Sequence, residues 1–330
     1  MKKSTLIYNP VAGRDFARRE KQIRRAAEAL GRAGFEVELA PTTRPGDGEK
    51  LARLATRQGI DLIVVCGGDG TINEVINGLV PSRIPLAILP GGTANILAKE
   101  LELPHNPVRA AESLPGWAPR RIALGRATWC VPDVAQEESG ETNVERVRQR
   151  YYASVAGIGF DAHIVYKLSW RLKMSWGVAG YILEAFRQVF AYPFPAFSCR
   201  IDERESCCTF AVVHRTRLYA GWLHMAPTAG LFEPRLTVCA FPSHSRMRYV
   251  LYASAVLARQ HLRLGDVSLL QGTKVTCSSF DAGSTIRFEL DGELVGTLPA
   301  TFEVVPDALT ILVPQGTGEM NSRMQQGNLM

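Results

Sequence analysis

The apolar positions of this chain follow two patterns. Through about residue 125, short continuous apolar runs alternate with segments whose apolar residues recur every three or four positions. Thr5–Tyr8, Phe35–Ala40, Leu62–Val65 and Pro85–Leu89 read as strands, and Leu62-Ile63-Val64-Val65 is apolar throughout, as in a parallel sheet. Between them, Asp15–Arg32 places Ile23, Ala26, Ala27 and Leu30 on one face. Asp47–Gln58, the stretch bearing Ile72, Val75, Ile76 and Leu79, and Ala94–Leu101 are also expected to be helical. Strand and helix in alternation predict a doubly wound parallel sheet covered by helices on both faces.

Beyond about Arg126 the period becomes that of strands with longer connections. Tyr151–Ala156, Phe197–Ile201, Thr209–Val213, Leu236–Ala240, Lys274–Cys277, Ile286–Leu290, Thr301–Val305 and Leu309–Val313 are expected strands. Phe160–Phe190 is expected to be mostly helical, with one more helix near Arg246–Arg259. Asp133–Arg150 is charged and lacks an apolar period, as for a polar excursion between paired strands. Gln315–Met330 has almost no apolar content. The expected organisation is an α/β nucleotide domain over 1–125, an antiparallel β-sandwich-like domain over 126–315, and a disordered tail over 316–330.

Composition narrows the class. The 330 residues are 46% hydrophobic, enough for two cores. A net charge of +6 suits phosphorylated ligands or an anionic membrane surface, and is too diffuse to argue nucleic acid. Met1-Lys2-Lys3 leads straight into a strand, and no run approaches the ~18 apolar residues of a membrane span, so a cytoplasmic location is expected. The seven cysteines form no C-x-x-C pair and read as buried thiols of a reducing compartment.

Chemistry concentrates in two glycine turns. Cys66–Asn73 reads C-G-G-D-G-T-I-N where a buried strand hands over to a helix, and Thr71 with Glu74 spells a capping box. Gly67, Gly68 and Gly70 leave backbone N–H groups uncovered for a phosphate at a helix N-terminus. Asp69 should repel phosphate unless a metal ion intervenes or a ribose hydroxyl meets it; otherwise it simply caps the turn. Pro90-Gly91-Gly92-Thr93 repeats the design. Ligands of such sheets bind at the carboxyl ends of strands. The loops Asn9-Pro10-Val11-Ala12-Gly13, Thr42, Gly67 to Asn73 and Gly91 to Asn95 all fall at that edge, where one nucleotide could use them together.

The G-G-D-G-T turn resembles the signature of the diacylglycerol kinase catalytic family, shared more distantly with NAD kinases and phosphofructokinases. The resemblance extends along nearly the whole chain. Asn9-Pro10 with Gly13, Gly67–Thr71, Gly91-Gly92-Thr93-Ala94-Asn95, Gly157-Ile158-Gly159-Phe160-Asp161 and Asp291-Gly292-Glu293 occur in the order seen in bacterial lipid kinases of the diacylglycerol and sphingosine kinase type. It implies an ATP-dependent kinase acting on a lipid hydroxyl, with a cleft between a nucleotide domain and a β-rich lipid domain. It implies ATP contacts from Asn9, Pro10, Val11, Ala12, Gly13, Thr42, Gly67, Gly68, Asp69, Gly70, Thr71, Ile72, Asn73, Gly92, Thr93 and Asn95. Asp291 would be the general base, with Glu293 close by, and Mg²⁺ would bridge the phosphates. Taken alone, Asp291-Gly292 is also an ordinary two-residue hairpin turn.

The chain departs from the family pattern at two places, which keeps a non-catalytic nucleotide- or lipid-binding regulator as an alternative beside a sphingoid or ceramide-type kinase and an NAD kinase-like enzyme. Ile96 stands where many members carry Asp. Phe232-Glu233-Pro234 stands where members with a structural magnesium show Asp-Asp-Gly, which leaves Asp69 and Glu233 as weak metal candidates. Gly157 to Ala162 fits a dinucleotide fingerprint but lies outside any βαβ unit, and no P-loop is present. Lys167–Trp176 mixes Lys167, Arg171 and Lys173 with Trp170 and Trp176, which suits either a lipid headgroup boundary or an ordinary amphipathic helix. The expected partners are a membrane lipid substrate, an anionic membrane surface touched peripherally, and a second copy of the chain.

Overall fold

The computed structural model describes residues 2–12, 16–132, 145–167, 184–281 and 283–317. The chain divides into two units: residues 1–124 with 216–233 and 306 onward, and residues 125–215 with 234–305. The expected split at 125 therefore misses two returns of the chain to the first unit.

The first unit alternates as its sequence predicts. Its elements are β1 (Lys2–Tyr8), α1 (Phe16–Arg32), β2 (Phe35–Pro41), α2 (Asp47–Arg57), β3 (Leu62–Gly67), α3 (Asp69–Leu79), β4 (Leu86–Pro90), α4 (Ile96–Glu100) and α5 (Pro107–Ser113). Strand order is β2-β1-β3-β4, all parallel, and Ile311 of the last strand pairs with Leu86 of β4. Ile23, Ala26 and Leu30 of α1 pack on Leu6, Leu62, Val64 and Leu89 as expected, whereas Ala29 takes the core place expected of Ala27, which is only half-buried. Register levels the carboxyl edge of the sheet. Tyr8 lies opposite Pro41 and Cys66, and Gly67 opposite Pro90, so the loops after all four strands begin at one level. Helix α4 starts two residues later than expected because Asn95 sits at φ 48 as its N-cap. Helix α5 was not expected; Asn106 caps it by accepting the N–H of Val108 at 2.9 Å, with Pro107 leading the helix.

In chain order the remaining strands are β5 (Trp117–Pro132), β6 (Glu145–Tyr152), β7 (Val155–Gly159), β8 (Phe197–Ile201), β9 (Arg204–Cys208), β10 (Phe210–His214), β11 (Leu218–Tyr219), β12 (Leu223–His224), β13 (Leu236–Phe241), β14 (Ser268–Gly272), β15 (Lys274–Ser279), β16 (Arg287–Leu290), β17 (Glu293–Thr297) and β18 (Ala300–Pro314). The second unit holds an antiparallel sheet ordered β14-β13-β10-β7-β16-β17. Facing it are β15, β8, β9 and the first half of β18. Ile158, Ala211, Val213, Phe288 and Leu290 from one sheet share a core with Phe197, Cys199, Ile201, Val275, Cys277 and Phe302 from the other. This is the expected β-sandwich.

Several boundaries differ from the sequence reading. Glu145–Arg150 is strand, not excursion: β6 pairs residue by residue with β5, so backbone bonds hold a run too polar to announce itself. The two expected C-terminal strands are one, with Asp307 at φ 47 inside it. Of the expected helical stretch, α6 (Phe160–Lys167) and residues 184–191 are helical, whereas Leu168–Trp176 lie outside the described residues. So do Gly13 and the tail beyond Thr317. The seven cysteines are free, and Cys66, Cys199, Cys208, Cys239 and Cys277 are buried.

Candidate active site

The two glycine turns of the first unit touch backbone to backbone. A Cβ built on Gly92 would lie 2.4 Å from the Cα of Gly68, closer than any side chain tolerates. The Gly91 N–H donates to the Gly67 carbonyl at 2.9 Å. Asp69 then clamps them: its carboxylate accepts the N–H of Asn95 at 2.9 Å and of Ile96 at 2.7 Å. These are the first amides of α4, where negative charge is favoured. The Asn95 side chain closes its own turn, accepting from Gly92 N–H and donating to Gly92 carbonyl, both at 2.8 Å.

This arrangement corrects one sequence reading. The Thr71–Glu74 capping box does not form, since α3 already begins at Asp69 without a side-chain cap. Glu74 instead accepts the N–H groups of Gly46 at 2.7 Å and Gly48 at 2.9 Å, holding the start of α2.

The other loops are braced in turn. Asn9 donates its amide to Thr71 Oγ1 at 3.5 Å and accepts the Val11 N–H at 2.9 Å. Thr42, buried, donates its N–H to the Tyr8 carbonyl at 2.8 Å. Beyond it, Asp47 accepts the Thr43 hydroxyl at 2.7 Å, and that bond with the neighbouring amides holds the Asp47 carboxyl down at about 2. Pro10, Ala12, Gly68, Gly70, Thr71 and Gly92 are half-buried at this edge, while Val11 and Thr93 are exposed. Ile72 and Asn73 point the other way, 2% and 1% exposed, with the Asn73 side chain bonded to Asn77.

Sequence reading missed three contributors. Arg19 of α1, 5% exposed, donates from a terminal guanidinium nitrogen to the Gly91 carbonyl at 2.6 Å. Glu100 of α4, 3% exposed, pairs with Arg217 at 2.8 Å, and Lys99 donates to the Gly221 carbonyl at 2.9 Å. Burial raises the Glu100 carboxyl even against the pull of Arg217. These links seat 216–233 on α4, and no local pattern in the sequence announces so distant a pairing.

In the second unit, Asp291 and Gly292 form the turn between β16 and β17, at φ 50 and 85, as a two-residue hairpin requires. The Asp291 carboxylate is bound from below by the β6–β7 connection. Oδ1 accepts the N–H of Ser154 at 2.8 Å and Val155 at 3.0 Å, and Oδ2 that of Ala153 at 2.9 Å. At 7% exposure, its negative charge is stabilised by aimed backbone dipoles. Glu293 faces outward and accepts from Arg150 at 2.7 Å.

No group of three or more His, Cys, Asp or Glu gathers as a metal set among the described residues. The Asp69 oxygens are engaged by amides, and Glu233 lies exposed in a turn closed on the Gly230 carbonyl. The donors present do not fit an ion held by protein groups alone.

Comparison with known proteins identifies the family. Residues 3–127 match the diacylglycerol kinase catalytic domain, and residues 154–313 match the YegS C-terminal NAD kinase beta sandwich-like domain. The chain is 25% identical over 324 residues to a diacylglycerol kinase of Bacillus subtilis, covering 97% of this chain and 99% of the relative. It is 24% identical to one from Staphylococcus haemolyticus, covering 94% and 88%. A solved structure from Bacillus anthracis, described as a diacylglycerol kinase, shares the fold at TM-score 0.66 and 18% identity, over 96% of this chain and 98% of that one. A second from the same organism reaches TM-score 0.74 at 20% identity over 96% of each.

Proposed function

This chain belongs to the bacterial lipid kinase family in which a diacylglycerol kinase catalytic domain precedes a β-sandwich-like domain, and on that footing we propose that it transfers the γ-phosphate of ATP to the hydroxyl of a lipid alcohol. Diacylglycerol is the default acceptor, and a sphingoid or ceramide-like alcohol the alternative. The observation that carries the reading is the pair of interlocked glycine turns at the carboxyl edge of β3 and β4, with Asp69 bonded across them.

Phosphoryl transfer asks the protein chiefly for positioning and charge stabilisation. Backbone N–H groups of the Gly68–Thr71 turn at the start of α3, with Thr93 and its exposed hydroxyl, are the groups that would hold the nucleotide, whereas those of Gly91, Gly92 and Asn95 are donated within the protein and shape the turn. Asn9, Pro10, Val11 and Ala12 would flank it. The lipid hydroxyl is a weak acid, so its attack on phosphorus benefits from a carboxylate that takes the proton as the P–O bond to ADP breaks. Asp291 is assigned that role; Glu293, held by Arg150, lies two residues on. Magnesium would come with the ATP phosphates and neutralise charge on them, since it is usually bound through phosphates with few protein ligands. An acceptor that resides in a bilayer also requires a peripheral, reversible contact with the membrane surface.

The decisive experiment incubates the protein with γ-labelled ATP and, in parallel, a total lipid extract, purified diacylglycerol, sphingosine and NAD. Label in a lipid phosphate supports the reading. Label in NADP alone would replace it with an NAD kinase-like activity.

A further inference from the structure

We infer that Asp161 and Glu289 form a buried acid pair sharing one proton, and that Glu289 thereby positions the turn that carries Asp291. The positioning role rests on the reading of Asp291 as the base; the acid pair itself does not.

Glu289 of β16 is 1% exposed and Asp161, in the first turn of α6, is 2% exposed. Both carboxyl groups converge on Gly157 of β7. A Cβ there would lie 1.9 Å from Asp161 Oδ2 and 2.7 Å from Glu289 Oε1, so only glycine fits. Glu289 Oε1 accepts the Gly157 N–H at 2.9 Å, and Oε2 accepts the Gly292 N–H at 2.5 Å. Asp161 Oδ2 and Glu289 Oε1 thus crowd one buried point, where two ionised carboxylates would repel; a proton on one of them lets the pair hydrogen-bond.

The surroundings assign that proton. No Lys or Arg pairs with Glu289 among the described residues. Burial first, then the charge of Asp161, raises the Glu289 carboxyl well above its usual range. From α6 the facing group is Asp161, since His163 bonds Gln188 instead. From the turn it is Asp291, whose charge is held by three amides. Residues of β7 bring no titratable side chain, and on β17 Glu293 is paired with Arg150. Beside Asp291, Tyr152 is raised by burial and stays neutral.

Glu289 is thus bonded to β7 and to the Asp291–Gly292 peptide at once. Val155 of the same β7 donates to Asp291, so one strand sets both carboxyl groups. This gives a use to the Gly157-Ile158-Gly159-Phe160-Asp161 motif: it lets two acids meet behind the turn.

The test uses the full chain and its Glu289→Gln, Glu289→Ala and Asp291→Asn variants. Infrared spectra at neutral pH should show a protonated carboxyl band in wild type and in Asp291→Asn that Glu289→Gln removes. Its absence from wild type, or its survival in Glu289→Gln, overturns the acid pair. Glu289→Gln can keep its one acceptor oxygen on Gly292 by turning its NH2 toward Asp161, which leaves the Gly157 N–H without that partner, so Tm should fall while kcat stays within about threefold. Glu289→Ala, which loses the Gly292 bond, should lower kcat about tenfold or more with KM for ATP unchanged. Equal loss in both, or no loss in Ala, overturns the positioning role. The sign in pH is also fixed. A raised carboxyl contributes stability below its ordinary value of 4.5 and loses it as pH rises toward the folded-state value. Glu289→Gln should flatten that part of the Tm–pH curve. Should Asp291→Asn stay fully active, the base assignment fails while the infrared band still decides the acid pair.

Discussion

The carboxylate of Asp69 accepts the backbone N–H of Ile96 at 2.7 Å. The bond is made by the main chain, so it does not depend on which side chain stands at position 96. The Ile96 side chain is itself buried, 6% exposed. One acidic group thus ties the start of α3 to the start of α4.

Asp69→Asn should open that tie. The amide offers one acceptor oxygen, so one of the Asn95 and Ile96 N–H groups loses its partner, at a cost of about 1–3 kcal/mol. The expected outcome is a Tm lower by several degrees and ATP affinity down about tenfold, read by thermal melting and calorimetric titration. Unchanged affinity would make the clamp structural only.

Alanine substitutions of the two touching glycines should differ. Gly92→Ala places a methyl 2.4 Å from the Gly68 backbone, which can yield only by separating the turns. Gly68→Ala meets Gly92 Cα at 3.4 Å, close to ordinary contact. Gly92→Ala is therefore expected to impair ATP binding strongly and Gly68→Ala mildly. The reverse order in a titration would refute the interlock.

Asp291→Asn keeps the size of the turn residue and removes the charge. As the general base, its loss should lower turnover by roughly 10²–10⁴-fold. ATP affinity should stay near wild type. Because the carboxylate also accepts three N–H groups, Tm will fall as well. A fall in Tm without loss of turnover would leave Asp291 as a hairpin brace alone.

Arg217→Met should leave Glu100 buried without its cation. Breaking a buried pair typically costs about 3–5 kcal/mol. The sign with pH follows from the raised Glu100 carboxyl: acid neutralises it in the folded state, so the defect should shrink as pH falls. Melting curves of wild type and variant near pH 5 and pH 8 check this; equal defects at both would mean that the charge is already compensated.

Local pattern carried the elements whose cause is local. The apolar run at Leu62–Val65, the period of α1 and the Asp291-Gly292 turn were legible because neighbours in sequence dictate them. The order of the glycine motifs was legible too, and with it the family. Strand β6 was not, because its polar residues are held by backbone pairing to β5 and need no apolar signal.

What the side chains of the site bond to was decided only by the tertiary structure. Glu74 has the spacing of a helix cap yet reaches α2; Asp69 sits in a phosphate-binding pattern yet bonds Asn95 and Ile96. Asp161 and Glu289, far apart in sequence, meet behind a glycine. A sequence specifies which donors and acceptors a segment carries. Which of them become partners depends on loops brought together by strand register, a relation between residues that no window along the chain contains.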